Sequence, residues 1–533
     1  MSPSDSEPIF IGPDGSNTEV TAKTAGSKAA MLWRMGRLGL AVPPAFVMPN
    51  SLCAPVNSGA ESALHVLDQG LRDGVAYLEK VTGRRFGDGR QPLLISVRSG
   101  AERSMPGMLQ TILDVGLNNE TVHGLIRLTG NPRLAWDSFR RFIQNYSEVV
   151  SEMPLPELDR RLADIMRDEG AASETEVDCE ALERLTKDFR ELAAQALGAP
   201  IPEDPMEQLA AAARAVYRSW ESSKAQEYRR LNQLEALQGT AVTVQAMVFG
   251  NAGGQSGAGV AFSRNPATGA NGLYVDFLFE AQGEDIVSGR RTPGDATLLK
   301  ACLPAIAEEL VDAADKLEQE FRDVQDIEFT VEEGKLYFLQ TRPAKRTPLA
   351  AIHFAVAFVH EGLIDQNTAL SRLAEIDLDH IGELRFKGTA TAVATAISAS
   401  PGVASGRVAF ESTRVKVLAA QGEPVVLVRP EVSTDDIAGL ASAVGILTAI
   451  GGRTAHAAVV ARQMGKTCLV GCRALRVDPA LRKARLGDKV IVEGDWISLD
   501  GATGEIFLGR REIISERPGV ELDEIAKWQT RAP

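Results

Sequence analysis

The chain has 533 residues, 44% of them hydrophobic, and 71 Asp and Glu against 57 Lys and Arg give a formal net charge of −14. That acidity argues against a general binder of nucleic acid or anionic membrane while leaving room for a local basic pocket, and the length exceeds what one core can hold, implying about three or four domains. With no apolar run of about 18 residues, no basic-then-apolar leader after Met1-Ser2-Pro3-Ser4-Asp5, and five scattered cysteines (Cys53, Cys179, Cys302, Cys468, Cys472), the expectation is a cytoplasmic protein without membrane contact or disulfide framework.

A glycine turn precedes a helix predicted from Ala25 to Leu38, and Pro43-Pro44 breaks the chain before a short strand. Pro92 to Val97 is an apolar, strand-like run that ends at Arg98. Helical periodicity dominates from Thr121 to Leu237, where Trp136, Phe139, Phe142 and Tyr146 recur at spacings of three and four and read as core packing. The acidic, small stretch Asp168 to Asp178 reads as a flexible loop. Strand patterns fill 240–345 around a glycine-rich connection, 346–390 is helical, and strands and glycine turns return from 391 to about Gly509. The remainder is a charged tail with a short helical piece. His65, His123, His353, His360 and His380 have no carboxylate or cysteine companions at metal spacing and read as structural, as do the buried thiols Cys468 and Cys472.

Two constellations carry chemistry. In Asp326-Ile327-Glu328-Phe329 and Leu339-Gln340-Thr341-Arg342, residues two apart share a strand face. With a three-residue loop at Glu333-Gly334-Lys335, Glu328 lies opposite Gln340 and Asp326 opposite Arg342. Two hard carboxylates suit Mg²⁺, and a guanidinium suits a phosphate oxygen. The run Gly250 to Gly259 lets main-chain N–H groups approach phosphates, although a plain flexible turn would look the same. It is not a Walker loop, and Gly465-Lys466-Thr467 has Val460 where that pattern needs its first glycine.

The second constellation is Gly451-Gly452-Arg453-Thr454-Ala455-His456-Ala457-Ala458-Val459-Val460-Ala461-Arg462, which sets His456 at the mouth of an Ala/Val-rich helix behind a glycine turn. Free N–H groups and the positive dipole end in the first helical turn would stabilise a phosphoryl group on that ring, and Thr454 adds a hydroxyl donor.

This run resembles the phosphohistidine motif of the phosphoenolpyruvate-utilising enzymes. Further stretches resembling the pyruvate phosphate dikinase family follow in order: Ser96-Val97-Arg98-Ser99-Gly100-Ala101, Ser104-Met105-Pro106-Gly107-Met108, Asn131-Pro132-Arg133, Gly239-Thr240-Ala241-Val242, Arg264-Asn265-Pro266, Ala281-Gln282-Gly283-Glu284-Asp285, Gln325 to Phe329, and Leu339 to Arg342. The resemblance implies an α/β and α+β multidomain protein with an ATP-grasp nucleotide-binding domain at 1–345 (helical part about 121–237), a helical linker at 346–390, a swivelling phosphohistidine domain at 391–512 and a tail at 513–533. It makes His456 the nucleophile and phosphoryl carrier, assisted by Arg98 and Arg342. It assigns Lys28, Arg98, Thr240, Gln245, Glu328, Gln340 and Arg342 to the nucleotide, with Asp326 and Glu328 as Mg²⁺ ligands. One departure is Ser27, where the family has a second glycine before Lys28.

In that family, ATP and inorganic phosphate give AMP, pyrophosphate and phosphohistidine, and an α/β barrel then supplies the site for pyruvate or phosphoenolpyruvate. Such a barrel needs roughly 200 to 250 residues beyond the histidine domain, and this sequence stops at Pro533. The expectation is therefore an ATP-dependent dikinase-type phosphotransferase that hands phosphate to an acceptor on a separate protein, most simply a barrel subunit, with no nucleic acid involved and self-association left open. Its rivals are a dikinase-like component serving a non-pyruvate small molecule and a non-catalytic nucleotide-binding remnant.

Overall fold

The computed structural model describes residues 6–16, 18–103, 105, 111–152, 154–171, 173–288, 291–378, 381–432, 437–453, 456–479, 481–516 and 518–531. The chain divides into two compact units, Met1–Val248 with Tyr337–Gln340, and Phe249–Leu336 with Thr341–Pro533.

In the first unit the strand Thr240–Ala246 is buried along its whole length, so both of its faces are covered. It is the central strand of a five-stranded antiparallel sheet in the order Ile9–Ile11, Ala45–Met48, Thr240–Ala246, Ile95–Ala101, Thr111–Val115. The strand expected to end at Arg98 continues to Ala101, and its register sets Arg98 opposite Thr243 and Ser96 opposite Gln245. The first helix runs Ala22–Arg37, broken at Gly26 by φ 81° and ψ 159°. A Cβ at Gly26 would stand 2.1 Å from the Gly100 carbonyl oxygen, so only glycine lets this turn press on the sheet.

The helical stretch is present as Thr121–Thr129, Pro132–Ser151, Pro156–Glu169, Cys179–Leu197, Pro205–Ser219 and Ser223–Leu231. Asn131 caps the second of these through its side chain, with Pro132 at the first helical position. Trp136, Phe139, Phe142 and Tyr146 are buried, as core packing requires. The stretch Asp168 to Asp178, expected to be a flexible loop, contains a short 3-10 turn at Glu174–Glu176. Arg133 Nη2 donates to Glu174 O at 2.6 Å and Nε to Val177 O at 3.1 Å. The cations that hold this stretch lie on a distant helix, which local composition does not reveal.

The second unit holds three strands, and the two ends of a fourth, of a four-stranded sheet in the order Lys335–Pro343, Gln325–Glu332, Gly257–Arg264, Asn271–Phe279. Gly257 and Gly259, read as part of a phosphate loop, lie inside a strand: Cβ atoms there would fall 2.2 Å from the rings of Phe277 and Phe329. They make room for packing. Helices Pro348–His360 and Gln366–Leu373 form a platform whose core includes Phe354 and Phe358, and the tail returns as Gly519–Arg531 to bury Leu522, Ile525 and Trp528 in the same cluster.

Residues from Ala394 onward build a mixed eight-stranded sheet. Val403–Ala409, Val425–Arg429, Gly445–Thr448 and Thr467–Val470 run parallel in its middle, which requires crossover connections. Helix His456–Gln463 is the last crossover, leaving the carboxyl end of Gly445–Thr448 and packing on Thr467–Val470. No helix among the described residues is long and apolar enough to cross a membrane.

Candidate active site

In the first unit, the Gly26 turn brings the start of the helix bearing half-buried Lys28 against the end of the strand bearing Arg98. Ser27 turns its departure from the family pattern to use, donating its hydroxyl to Ala101 O at 3.1 Å. Arg98 Nη2 lies 3.5 Å from Oε1 of buried Gln340. Thr240 is fully buried and its hydroxyl is occupied, accepting from Gly100 N at 3.0 Å and donating to Ala241 O at 3.1 Å. The Gln245 amide, also buried, donates to Pro43 O at 3.4 Å. Arg98 and Gln340 thus meet through their side chains, while the Thr240 hydroxyl and the Gln245 amide engage the backbone.

In the second unit, the turn after Glu332 has two residues, Glu333 and Gly334, at φ 48° and 75°, instead of the expected three. Two consecutive positive φ values give the turn whose twist matches that of paired strands. Asp326 and Arg342 still meet, with Arg342 Nε 2.8 Å from Asp326 Oδ2. The other oxygen, Asp326 Oδ1, is buried without a hydrogen-bond partner. Burial pushes the Asp326 carboxyl above the usual carboxylate range; Arg342 pulls it back and Glu328 pushes it further. Burial acts to lower the Arg342 guanidinium, but Asp326 and Glu328 outweigh it and hold it above its ordinary value. Glu328 itself is half-buried, two residues along the strand from Asp326.

The histidine helix begins at His456, as its sequence predicts. The side chain of His456, and residues Thr454 and Ala455, lie outside the described residues, as do His380 and the stretch 106–110. Around this helix the structure adds a set of contacts that the sequence reading missed. Arg462, at the far end of the same run, is buried and donates to Ala399 O at 2.8 Å and Arg453 O at 3.0 Å, with its guanidinium 5.6 Å from the Phe262 ring centre. Burial lowers its guanidinium, against the opposing pull of the carboxylates of Asp276 and Asp326. Arg453 donates to Asp276 Oδ1 at 3.0 Å and stands 4.4 Å from the Tyr274 ring centre, while Tyr274 OH donates to Ser398 O at 2.8 Å. A Cβ on Gly452 would fall 2.6 Å from Pro293 Cγ. The close approach that this glycine permits is thus to Pro293. Tyr274 and Asp276 lie two apart on the strand Asn271–Phe279, and that period was the signal available.

The chain matches the family described as "Pyruvate phosphate dikinase, AMP/ATP-binding domain" over residues 63–307 and 295–354, and "PEP-utilising enzyme, mobile domain" over 421–504. It is 43% identical over 509 residues to a pyruvate, phosphate dikinase of Clostridium symbiosum, covering 94% of this chain and 58% of that protein. The chloroplastic pyruvate, phosphate dikinase of Flaveria trinervia is 42% identical over 511 residues, 95% of this chain and 54% of its own length. Pyruvate, phosphate dikinase 2 of Zea mays is 41% identical over 507 residues, 94% and 57% of the two chains. This chain belongs to the pyruvate phosphate dikinase family. It spans somewhat more than half the length of these curated relatives.

Within the pyruvate phosphate dikinase family match, Asp326, Glu328, Gln340 and Arg342 fall inside the AMP/ATP-binding region, and His456 falls inside the mobile-domain region. Both regions contribute to the second unit. Arg453, Arg462, Tyr274 and Asp276 join residues of one region to residues of the other.

Proposed function

We propose that this chain is an ATP-dependent phosphotransferase of dikinase type, in which ATP and inorganic phosphate yield AMP, pyrophosphate and phosphorylated His456 for delivery to an acceptor on a separate protein. In this reading residues 1–345 bind the nucleotide, 346–390 link, and 391–512 carry the histidine. The observation that supports it most is the orphaned, buried Asp326 Oδ1 beside Arg342, within electrostatic reach of Arg462 on the helix that His456 begins.

A buried carboxylate oxygen without a donor fits a hard cation. Among the described residues no group of three or more His, Cys, Asp and Glu is gathered to hold a metal. A cation at Asp326 and Glu328 would then take its other ligands from water and phosphate, as Mg²⁺ does in nucleotide sites. When bound there, Mg²⁺ would offset charge on the phosphate oxygens.

The protein's own groups do the remaining work in this proposal. Neutral His456 attacks the β-phosphorus of ATP through a ring nitrogen and the bond to the α,β-bridging oxygen breaks, so that AMP leaves. Inorganic phosphate then takes the terminal phosphoryl group from the pyrophosphorylated ring, pyrophosphate leaves, and the N–H groups of the first helical turn meet the oxygens of the phosphoryl group that stays. Lys28, Arg98 and Arg342 neutralise phosphate charge, with Gln340 orienting Arg98.

Incubation of the purified chain with Mg²⁺, labelled ATP and phosphate tests this. With the label on the β-phosphate, it should be acid-labile and base-stable, as a phosphoramidate is, should vanish in His456→Asn, and its formation should be accompanied by AMP release, with pyrophosphate released only when phosphate is added. Equal labelling of that variant, or an acid-stable product, refutes the carrier role; turnover without phosphate, with phosphate as the by-product in place of pyrophosphate, refutes the cosubstrate.

A further inference from the structure

The two segments that enter and leave the histidine-bearing body run side by side. Glu383–Phe386 pairs antiparallel with Ile513–Glu516, Phe386 opposite Ile513. Ile376, Leu378 and Ile381 still pack on the helical platform, to which helix Gly519–Arg531 also belongs. The ribbon thus starts two residues after its last platform contact.

At its other end the ribbon is fastened to the body. The Arg511 guanidinium lies 4.8 Å from the ring centre of Phe386 and 4.5 Å from that of Phe507. The two rings meet edge-on, 5.9 Å apart and at 83°. Arg511 Nη2 donates to Gly388 O at 2.5 Å and Lys387 O at 3.4 Å. Its backbone N–H donates to Ser405 Oγ at 3.1 Å, and Ser405 Oγ also accepts from Ser498 Oγ at 2.9 Å. Phe507, Ser405 and Ser498 belong to the eight-stranded sheet and Phe386 to the ribbon. One side chain therefore spans both.

We propose that Arg511 is a positioning residue that clamps the ribbon onto the histidine-bearing body, so that ribbon and body turn as one piece and bending is confined to Gly382 and Pro518–Gly519. A two-stranded ribbon is marginally stable by itself in water and would otherwise fray into two loose tethers. Looser tethers lower the effective concentration of the tethered group at its target. Arginine suits the task because its plane stacks on rings while its fork reaches two carbonyls, which lysine cannot match. The functional consequence rests on the phosphotransfer reading, because the turning body carries His456; the mechanical claim does not.

The test places spin labels on the platform and the body, at Lys527→Cys and Lys483→Cys, with Cys179 and Cys302 changed to serine. Arg511→Ala should broaden the label-to-label distance distribution and slow His456 labelling by roughly tenfold, at an unchanged half-saturating ATP concentration. Arg511→Lys should fall between that variant and the parent. If Arg511→Ala fails to fold by circular dichroism, Phe386→Leu carries the same expectations. An unbroadened distribution in the folded variant, or a change in half-saturating ATP that accounts for the slower labelling, overturns the clamp. If the parent never labels at His456, the phosphotransfer reading falls, and the distance widths still decide the clamp.

Discussion

Arg453 Nη1 lies 3.0 Å from Asp276 Oδ1, and both side chains are largely withdrawn from water, at 17% and 1% exposure. The pair joins the loop just before His456 to the outer strand of the four-stranded sheet. Removing one partner of a buried pair leaves the other charge uncompensated, so the loss exceeds that of a surface bridge.

Asp276→Ala should therefore loosen the histidine loop from that strand and slow His456 labelling while ATP binding holds. A double-mutant cycle with Arg453→Met should return a coupling of about 1–3 kcal/mol. Strictly additive effects on the labelling rate would show that the two residues act independently.

Arg342 and Glu328 lie on the strands that hold Asp326. Replacing either by alanine should cut the labelling rate about a hundredfold, equivalent to roughly 3 kcal/mol of transition-state stabilisation. Circular dichroism should stay unchanged. Rates equal to the parent's would make the hairpin a structural element only.

Asp326 gives a pH dependence with a defined sign. Its pKa is raised in the fold, by burial first, so the native state holds this proton more tightly than the unfolded chain does. Its contribution to stability is complete below the unfolded pKa and is lost as pH rises through the folded one. Cation binding needs the ionised form. Mg²⁺-dependent ATP binding should accordingly fade on acidification at a higher pH than an ordinary aspartate would set, and Arg342→Gln should move that limb higher still, because Arg342 favours the ionised form. A limb unmoved by Arg342→Gln, followed by titration calorimetry, would place control on another group.

Gly26 and Gly83 both have positive φ, at 81° and 69°, but only Gly26 faces an obstacle. Gly83→Ala should cost about 1 kcal/mol for the left-handed backbone. Gly26→Ala must also push Gly100 aside, so it should cost more in chemical denaturation and impair labelling through Lys28 and Arg98. Indistinguishable denaturation midpoints would mean that the turn has room to move.

How much of this was legible in the sequence depended on the range of the interaction. The aromatic stripe from Trp136 to Tyr146 and the start of the histidine helix at His456 follow from local periodicity and turn chemistry, and both stand in the fold. The Asp326–Arg342 contact stands in the fold, but the three-residue turn from which it was expected does not. The turn has two residues, since Glu333 takes a positive φ that its residue type does not announce, and strand parity with that turn does not by itself set the two residues opposite each other. The tail's helical piece was readable, but the pinned Glu174 turn, the Arg453–Asp276 pair and the docking of that tail helix through Leu522, Ile525 and Trp528 were not. Each depends on a partner far along the chain, and neither composition nor spacing encodes that partner.

The pairing of Glu383 with Glu516 puts the two ends of the histidine-bearing body on neighbouring strands, about 5 Å apart. In topological terms that body is an insertion into a helical platform whose own elements pack together on both sides of it. A short turn joining those two strands in place of the body would leave the platform helices with their mutual core, and the excised segment would keep adjacent ends. Recombination could therefore exchange one such body for another as a cassette, with selection acting on the face it presents to the sheet and not on the splice.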